Sequence, residues 1–247
     1  MDLAAKIDPE GVDKELNVRG YMIVRDQELT QICECARADY HACFARTKPH
    51  VSTARFDYRA LKIEPWRKMA IGSKNGLGHT IAQNLQSIYF DAHDRNYPSL
   101  VSLFGAMIAV RNKLMRVDAD FGNDPERDGF WNACRVHHYP RGGGFMSVHR
   151  DTYFPTRLEE RDKPFYQMLV LLSRKNIDFF SGGGVLINSQ DQKIDLEVEA
   201  GFGSMILYDG RTPHGVEDID PDQMIDFSRA DGRLVALVNL YNTMKHD

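Results

Sequence analysis

The stretch Val136-His-His-Tyr-Pro-Arg-Gly-Gly-Gly-Phe-Met-Ser-Val-His-Arg-Asp151 decides how the rest of the chain is read. Its second half is a short β-segment, 145–150, entered through three glycines and ending on His149-Arg-Asp151. Side chains two apart on a strand share a face, so His149 and Asp151 can meet one metal ion. Pro213-His214-Gly215, on a later β-segment, offers a third ligand. Two imidazoles and one carboxylate make a facial set that leaves coordination positions open, as iron(II) oxygen chemistry requires. A structural zinc site would instead close its shell with a fourth protein ligand.

Outward from this stretch the character of the chain changes near residue 130. Downstream, strands are expected at 132–139, 145–150, 166–173, 184–188, 194–198, 203–208, 213–217 and 233–241, separated by turn residues. Short strands at this density point to a sandwich or barrel, and the number fits a double-sheet jelly roll. Upstream, Tyr21–Val24 reads as a strand. Thr30 can cap a helix through Ala45, Ser99 one through about Val117, and a third helix is expected over Thr80–Phe90. The expected architecture is therefore α+β: one domain over 1–247, a mainly helical part (1–130) packed on a jelly-roll core (131–247).

Composition narrows the function classes. The 247 residues are 43% hydrophobic and 27% charged, with a net charge of −4. An acidic balance argues against a protein that tracks nucleic-acid phosphates. Neither triple-glycine run, Gly142–Gly144 or Gly182–Gly184, is followed by Lys-Ser/Thr and a helix, so neither is a phosphate loop. Of four cysteines, Cys33 and Cys35 would point about 200° apart on a helix, and no CxxC pair exists, so reduced, partly buried thiols are expected. Met1–Asp13 lacks the apolar core of a signal peptide, and Leu100–Val110 is too short to span a bilayer. Expected are a cytoplasmic location, a small-molecule partner, and neither nucleic acid nor membrane.

Further along come Gln167-Met-Leu-Val-Leu-Leu172, Ser181-Gly-Gly-Gly-Val-Leu-Ile187, Ala200–Asp209, Thr212-Pro-His214-Gly-Val216 and Gly232-Arg233-Leu-Val-Ala-Leu237. In this order, over about 130–241, the sequence resembles the iron(II)/2-oxoglutarate-dependent oxygenase superfamily with its double-stranded β-helix core. The resemblance implies that His149, Asp151 and His214 bind iron(II). It also implies that 2-oxoglutarate and O2 are co-substrates, and that the reaction hydroxylates an unactivated C–H bond with release of succinate and CO2. A retained Asp151 argues against halogenation. The family places an arginine at the start of the last strand, against the far carboxylate of 2-oxoglutarate. Its planar fork suits a carboxylate. Arg233 matches, with Arg229 as the alternative. The gap from His214 is longer than usual and Val235 stands where many members have Ser, so Tyr139 and Gln167 are candidates to complete the anchor.

Other residues are read more plainly. Arg135, His137 and Tyr139 share one strand face, and His138 the other. Arg150 is structural, and His41, His50, His79 and His93 have no partners at ligand spacing. Thr152–Lys163, directly after Asp151, is where such scaffolds build specificity, and Asn75–Gly78 reads as a turn. Two rival readings stay open: a cupin-like metal enzyme that does not use 2-oxoglutarate, and a non-catalytic binding module.

Overall fold

Aspartates begin most of the helices. In the computed structural model, which describes residues 2–51, 58–74, 80–151 and 165–243, Asp8 accepts from the amides of Glu10 and Gly11 to start α1 (Pro9–Arg19). After β1 (Tyr21–Val24), Asp26 accepts from Leu29 N and starts α2 (Gln27–Arg46). That is earlier than expected: Thr30 lies inside the first turn, where its hydroxyl donates to Asp26 O. The next long helix, α3 (Pro98–Leu114), has no cap of its own. Asp39 of α2 reaches over and accepts from Ser99 N and Leu100 N, at 2.7 and 3.1 Å. This carboxylate does what a local N-cap does elsewhere, satisfying amides with no partner inside the helix. A short turn, α4 (Pro125–Asp128), follows.

The expected third helix is a strand. After β2 (Pro49–Val51) and β3 (Trp66–Lys74), residues Thr80–Phe90 form β4, antiparallel to β3 from Trp66↔Tyr89 to Gly72↔Gln83. Ile81, Leu85 and Ile88 mimic helical spacing because β4 is apolar on both faces: Leu85 packs inside the barrel, Ile88 and Phe90 beneath the helices. A strand covered on both sides loses the two-residue period that would reveal it.

The remaining strands are β5 (Phe130–Pro140), β6 (Gly144–His149), β7 (Tyr166–Leu171), β8 (Gly183–Ile187), β9 (Lys193–Asp195), β10 (Met205–Asp209), β11 (His214–Ile219) and β12 (Gly232–Asn242). The strand expected over 194–198 is cut short by α5 (Leu196–Glu199), which Asp195 caps. Hydrogen bonding runs β1-β10-β7-β12-β5-β4 and continues through β6-β11-β8-β9. The crossing from β4 to β6 is made by Gln83↔Met146 and Asn84↔Phe145, so one sheet curls over onto its second half. A side chain on Gly142 would run into the Ile225 backbone, and its φ of +90° also favours glycine there.

Alternation along the strands then makes two cores. Met168, Val170, Leu234, Ala236 and Val238 pack against Leu29, Cys33, Leu103 and Phe104 of α2 and α3. Leu169, Leu171, Val235, Leu237 and Ile206 face the other half-sheet, against Leu186 and Val216. The result is the α+β jelly roll expected, with helices packed on one side of it. The N-terminal part also lends strands to the sheet. Burial pushes the Cys33 thiol up to about 12 and Cys43 up to about 11, and all four cysteines are free. Among the described residues no helix is long and apolar enough to cross a membrane.

Candidate metal centre

His149 ends β6 and His214 begins β11, and the two are direct cross-strand partners. Their rings lie 4.4 Å apart, centre to centre. Asp151 follows two residues past the end of the strand, tied down by its own amide donating to Gly210 O at 2.9 Å. Each His Nε2 lies 3.7 Å from an Asp151 oxygen. One ligand atom from each of the three residues falls within 4.8 Å of the others, and no other such group of three or more occurs among the described residues.

The imidazoles are oriented alike. His149 Nδ1 meets Ser147 O, and His214 Nδ1 meets Thr212 O, both at 2.8 Å. Because a carbonyl only accepts, Nδ1 carries the proton and Nε2 presents its lone pair to the centre. Burial holds the His214 imidazole below its usual value, which keeps it in the neutral form a metal needs. The donor set of two nitrogens and a carboxylate thus fits iron(II), with no fourth protein ligand among the described residues.

Gln167 and Asn239 extend this order outward. Gln167 Nε2 donates to Asp151 Oδ2 at 3.0 Å, and Asn239 Nδ2 donates to Gln167 Oε1 at 2.7 Å. The chain Asn239–Gln167–Asp151 crosses β12 and β7 and fixes the carboxylate from behind. Nothing local in sequence marks Asn239; its signal is the alternation that puts it on the face of Arg233, Val235 and Leu237. Tyr208 adds a ring 5.0 Å from that of His214.

Arg233 faces the same interior, and the inner face of β5 lies beside it. Its Cζ sits 5.4 Å from the Tyr139 ring centre. Burial pushes the Tyr139 hydroxyl up to about 12. Arg233 Nε donates to Glu197 Oε1 at 2.6 Å, and Glu197 Oε2 accepts from Gly184 N at 2.6 Å. Both charged side chains are 2% exposed. Sequence reading missed Glu197, which is 36 residues from Arg233 and sits on a four-residue helix. The available clue was Gly182–Gly184: a Cβ on Gly183 would collide with Glu197, and one on Gly184 with the Arg233 guanidinium. The terminal nitrogens of Arg233 have no protein acceptor among the described residues.

The remaining sequence candidates stand apart from this centre. Arg229 is an exposed partner of Asp231. Arg150 donates to Arg211 O, and His50 stacks on Trp66. Thr152–Lys163, Asn75–Gly78 and His79 lie outside the described residues.

Two solved structures share this architecture. One is a prolyl-4-hydroxylase from Pseudomonas putida, 14% identical over 96% of this chain and 100% of its own, with a TM-score of 0.54. The other is a prolyl hydroxylase from Trichoplax adhaerens in complex with a hypoxia inducible factor oxygen degradation domain peptide fragment. It is 14% identical over 95% of this chain and 89% of its own, with a TM-score of 0.53. The chain has the fold of these hydroxylases. No protein-family profile matches the sequence, and no curated protein does.

Proposed function

We propose that the chain is an iron(II)- and 2-oxoglutarate-dependent oxygenase that hydroxylates an unactivated C–H bond of a small molecule. The observation that carries this reading is the His149–Asp151–His214 cluster, with both Nε2 atoms turned inward by backbone carbonyls. When bound there, iron(II) with 2-oxoglutarate supplies oxidation of the C–H bond by O2, the keto acid leaving as succinate and CO2.

The protein's own part is positioning. His149, Asp151 and His214 hold the metal, and Gln167 with Asn239 keeps the Asp151 carboxylate turned toward it. Arg233 takes the far carboxylate of 2-oxoglutarate through its unengaged terminal nitrogens. Glu197 grips Nε and keeps the guanidinium plane fixed, and Tyr139 supports it from below. The small-molecule class is supported by how deeply the inner polar groups lie, at 3% exposure for Tyr139 and 5% for Arg135. A cytoplasmic setting is supported by four free thiols, of which Cys35 is exposed.

The reading is tested by adding 2-oxoglutarate to the iron(II)-loaded protein under nitrogen and following the metal-to-ligand absorbance, then admitting air and measuring succinate. Expected are a saturable absorbance and slow succinate release without any substrate. Iron binding with neither signal would overturn the reading in favour of a metal enzyme that makes no use of Arg233. No iron binding would overturn it in favour of a binding module.

A further inference from the structure

Three cationic side chains lie on the inner-face rows of the main sheet, and only one has an acid. Arg233 is matched by Glu197. Arg135, 5% exposed, makes no ion pair with any described carboxylate. Its Nε donates to His137 Nε2 at 2.8 Å, and its Nη1 donates to the nearby Ala133 O at 3.3 Å. Its Cζ lies 5.3 Å from the Tyr241 ring centre and 5.9 Å from that of Tyr89. Nη2 has no acceptor among the described residues. Lys68 has neither a hydrogen bond nor an ion pair there. Cross-strand register sets Lys68 beside Ser87 and Ser87 beside His137, one row away from Arg135 on the same inner face.

Two other buried arginines show what a structural guanidinium looks like in this protein. Arg67 donates to Gln86 and to the carbonyls of Phe44, Thr47 and Phe227. Arg111 donates through Nε and Nη2 to Asn112, Asn132 and the Phe121 carbonyl, leaving only Nη1 without a partner. Arg135 has a neutral imidazole and one long carbonyl contact instead. Burial, with Arg135, Arg233 and Lys68 nearby, holds His137 well below its usual value, so it stays neutral and accepts from Arg135 without offering it a counter-charge. Burial and Arg135 hold Lys68 below its ordinary value too. Buried charge is expensive unless paired, and neither of these two cations has an acid among the described residues. Arg135 pairs in register with Leu237, one row from Asn239, whose partner Gln167 holds Asp151, so Arg135 lies on the inner face that also carries the supports of the metal centre.

We propose that Arg135 and Lys68 form the subsite for an oxyanion of the prime substrate, a carboxylate or a phosphate. The subsite is distinct from the Arg233 anchor for 2-oxoglutarate. The guanidinium supplies a planar fork and the ammonium a point charge, and the rings of Tyr89 and Tyr241 wall the guanidinium. This deepens the oxygenase reading and rests on it for the word substrate. The anion subsite itself needs neither iron nor 2-oxoglutarate.

The two tryptophans of the chain report on the site. Trp66 pairs with Tyr89 in register, and Trp131 packs on Tyr241 at 5.3 Å. Tryptophan fluorescence of the metal-free protein is titrated with phenylacetate, phenyl phosphate and neutral phenylacetamide. Saturable change is expected with at least one anion and not with the amide, and the tighter anion names the group. Arg135→Gln and Lys68→Met should each weaken that anion, Arg135→Gln by roughly 30-fold or more. Arg135→Lys should recover part of the loss, which a purely structural role would not do. Lys68→Met is the safer variant because Lys68 is only half-buried. Equal binding of acid and amide, or unchanged anion affinity in Lys68→Met, would overturn the proposal. So would an Arg135→Gln protein whose iron/2-oxoglutarate absorbance is lost while its anion titration is intact, because Arg135 would then be the co-substrate anchor. Failure of the oxygenase reading shows only in the succinate assay, and failure of the subsite only in the fluorescence titration.

Discussion

Neighbouring residues of β5 show how differently the two faces of the main sheet are used. His137 points into the barrel beside Arg135, and Tyr139 and Arg233 stand on the same face. His138 points the other way, between the Tyr40 and Phe44 rings of α2, with Nε2 donating to Asp231 O at 2.8 Å. On the inner face polar groups are organised around a centre and some are left open to a ligand. On the outer face His138 is fixed by one carbonyl and its neighbours Arg67 and Gln86 by bonds to each other and to the Phe227 carbonyl, all set in hydrocarbon. One strand thus serves chemistry and stability at once, because successive side chains alternate.

If that division holds, substitutions on the two faces should separate cleanly. The largest effect is expected at the inner centre. His149→Ala or His214→Ala should abolish succinate formation and cut iron affinity by far more than about 100-fold, since removing a ligand exceeds any change among the groups that orient it. Iron titration and the succinate assay decide this. Wild-type turnover in either variant would end the assignment.

An outer-face truncation should do the reverse. Phe104 is fully buried between α3 and the sheet. Phe104→Ala should lower unfolding free energy by about 3–5 kcal/mol, the usual range for emptying such a site. Denaturant unfolding measures it, and iron affinity of the protein that remains folded should not change. Loss of metal binding in step with stability would show that the faces are not independent.

Arg233→Ala should weaken 2-oxoglutarate by roughly 30-fold to several thousand-fold, equivalent to about 2–5 kcal/mol for truncating one partner of a desolvated pair. Part of that loss will reflect Glu197, left buried without its cation. Arg229→Ala is the control, because that side chain is 66% exposed. The anaerobic absorbance titration compares them; weakening by Arg229→Ala alone would move the anchor out of the barrel.

The smallest effect is a pH dependence carried by the outer face. Burial lowers the His138 pKa to about 4, against an ordinary 6.5. Between those values the unfolded chain binds a proton that the folded chain does not, so stability falls as pH drops from 6.5 toward 4. For this one group the loss between about pH 7 and pH 5 is about 2 kcal/mol. His138→Gln should flatten that part of the unfolding-versus-pH curve while leaving the succinate assay at pH 7 unchanged. An acid limb of the same depth in the variant would place the titration elsewhere, with His137 the next group to examine.

Much of this organisation is legible along the chain. The strands after residue 130 follow from short, β-rich runs punctuated by glycine, and the metal cluster from His149 and Asp151 sharing a face with a histidine at a later strand start. Alternation from Gly232 onward also puts Arg233, Val235, Leu237 and Asn239 on the inner side. Each of these is a local pattern, and local patterns survive translation into one dimension. What tertiary structure alone decided are the pairings between distant segments. Asp39 caps α3 from α2, Glu197 reaches Arg233, and Gln167 links Asn239 to Asp151. Thr80–Phe90 belongs with them, because its covered faces depend on which elements close over it. A sequence states which side chains share a face, whereas burial of a charge or a strand depends on what the folded chain brings to the other side.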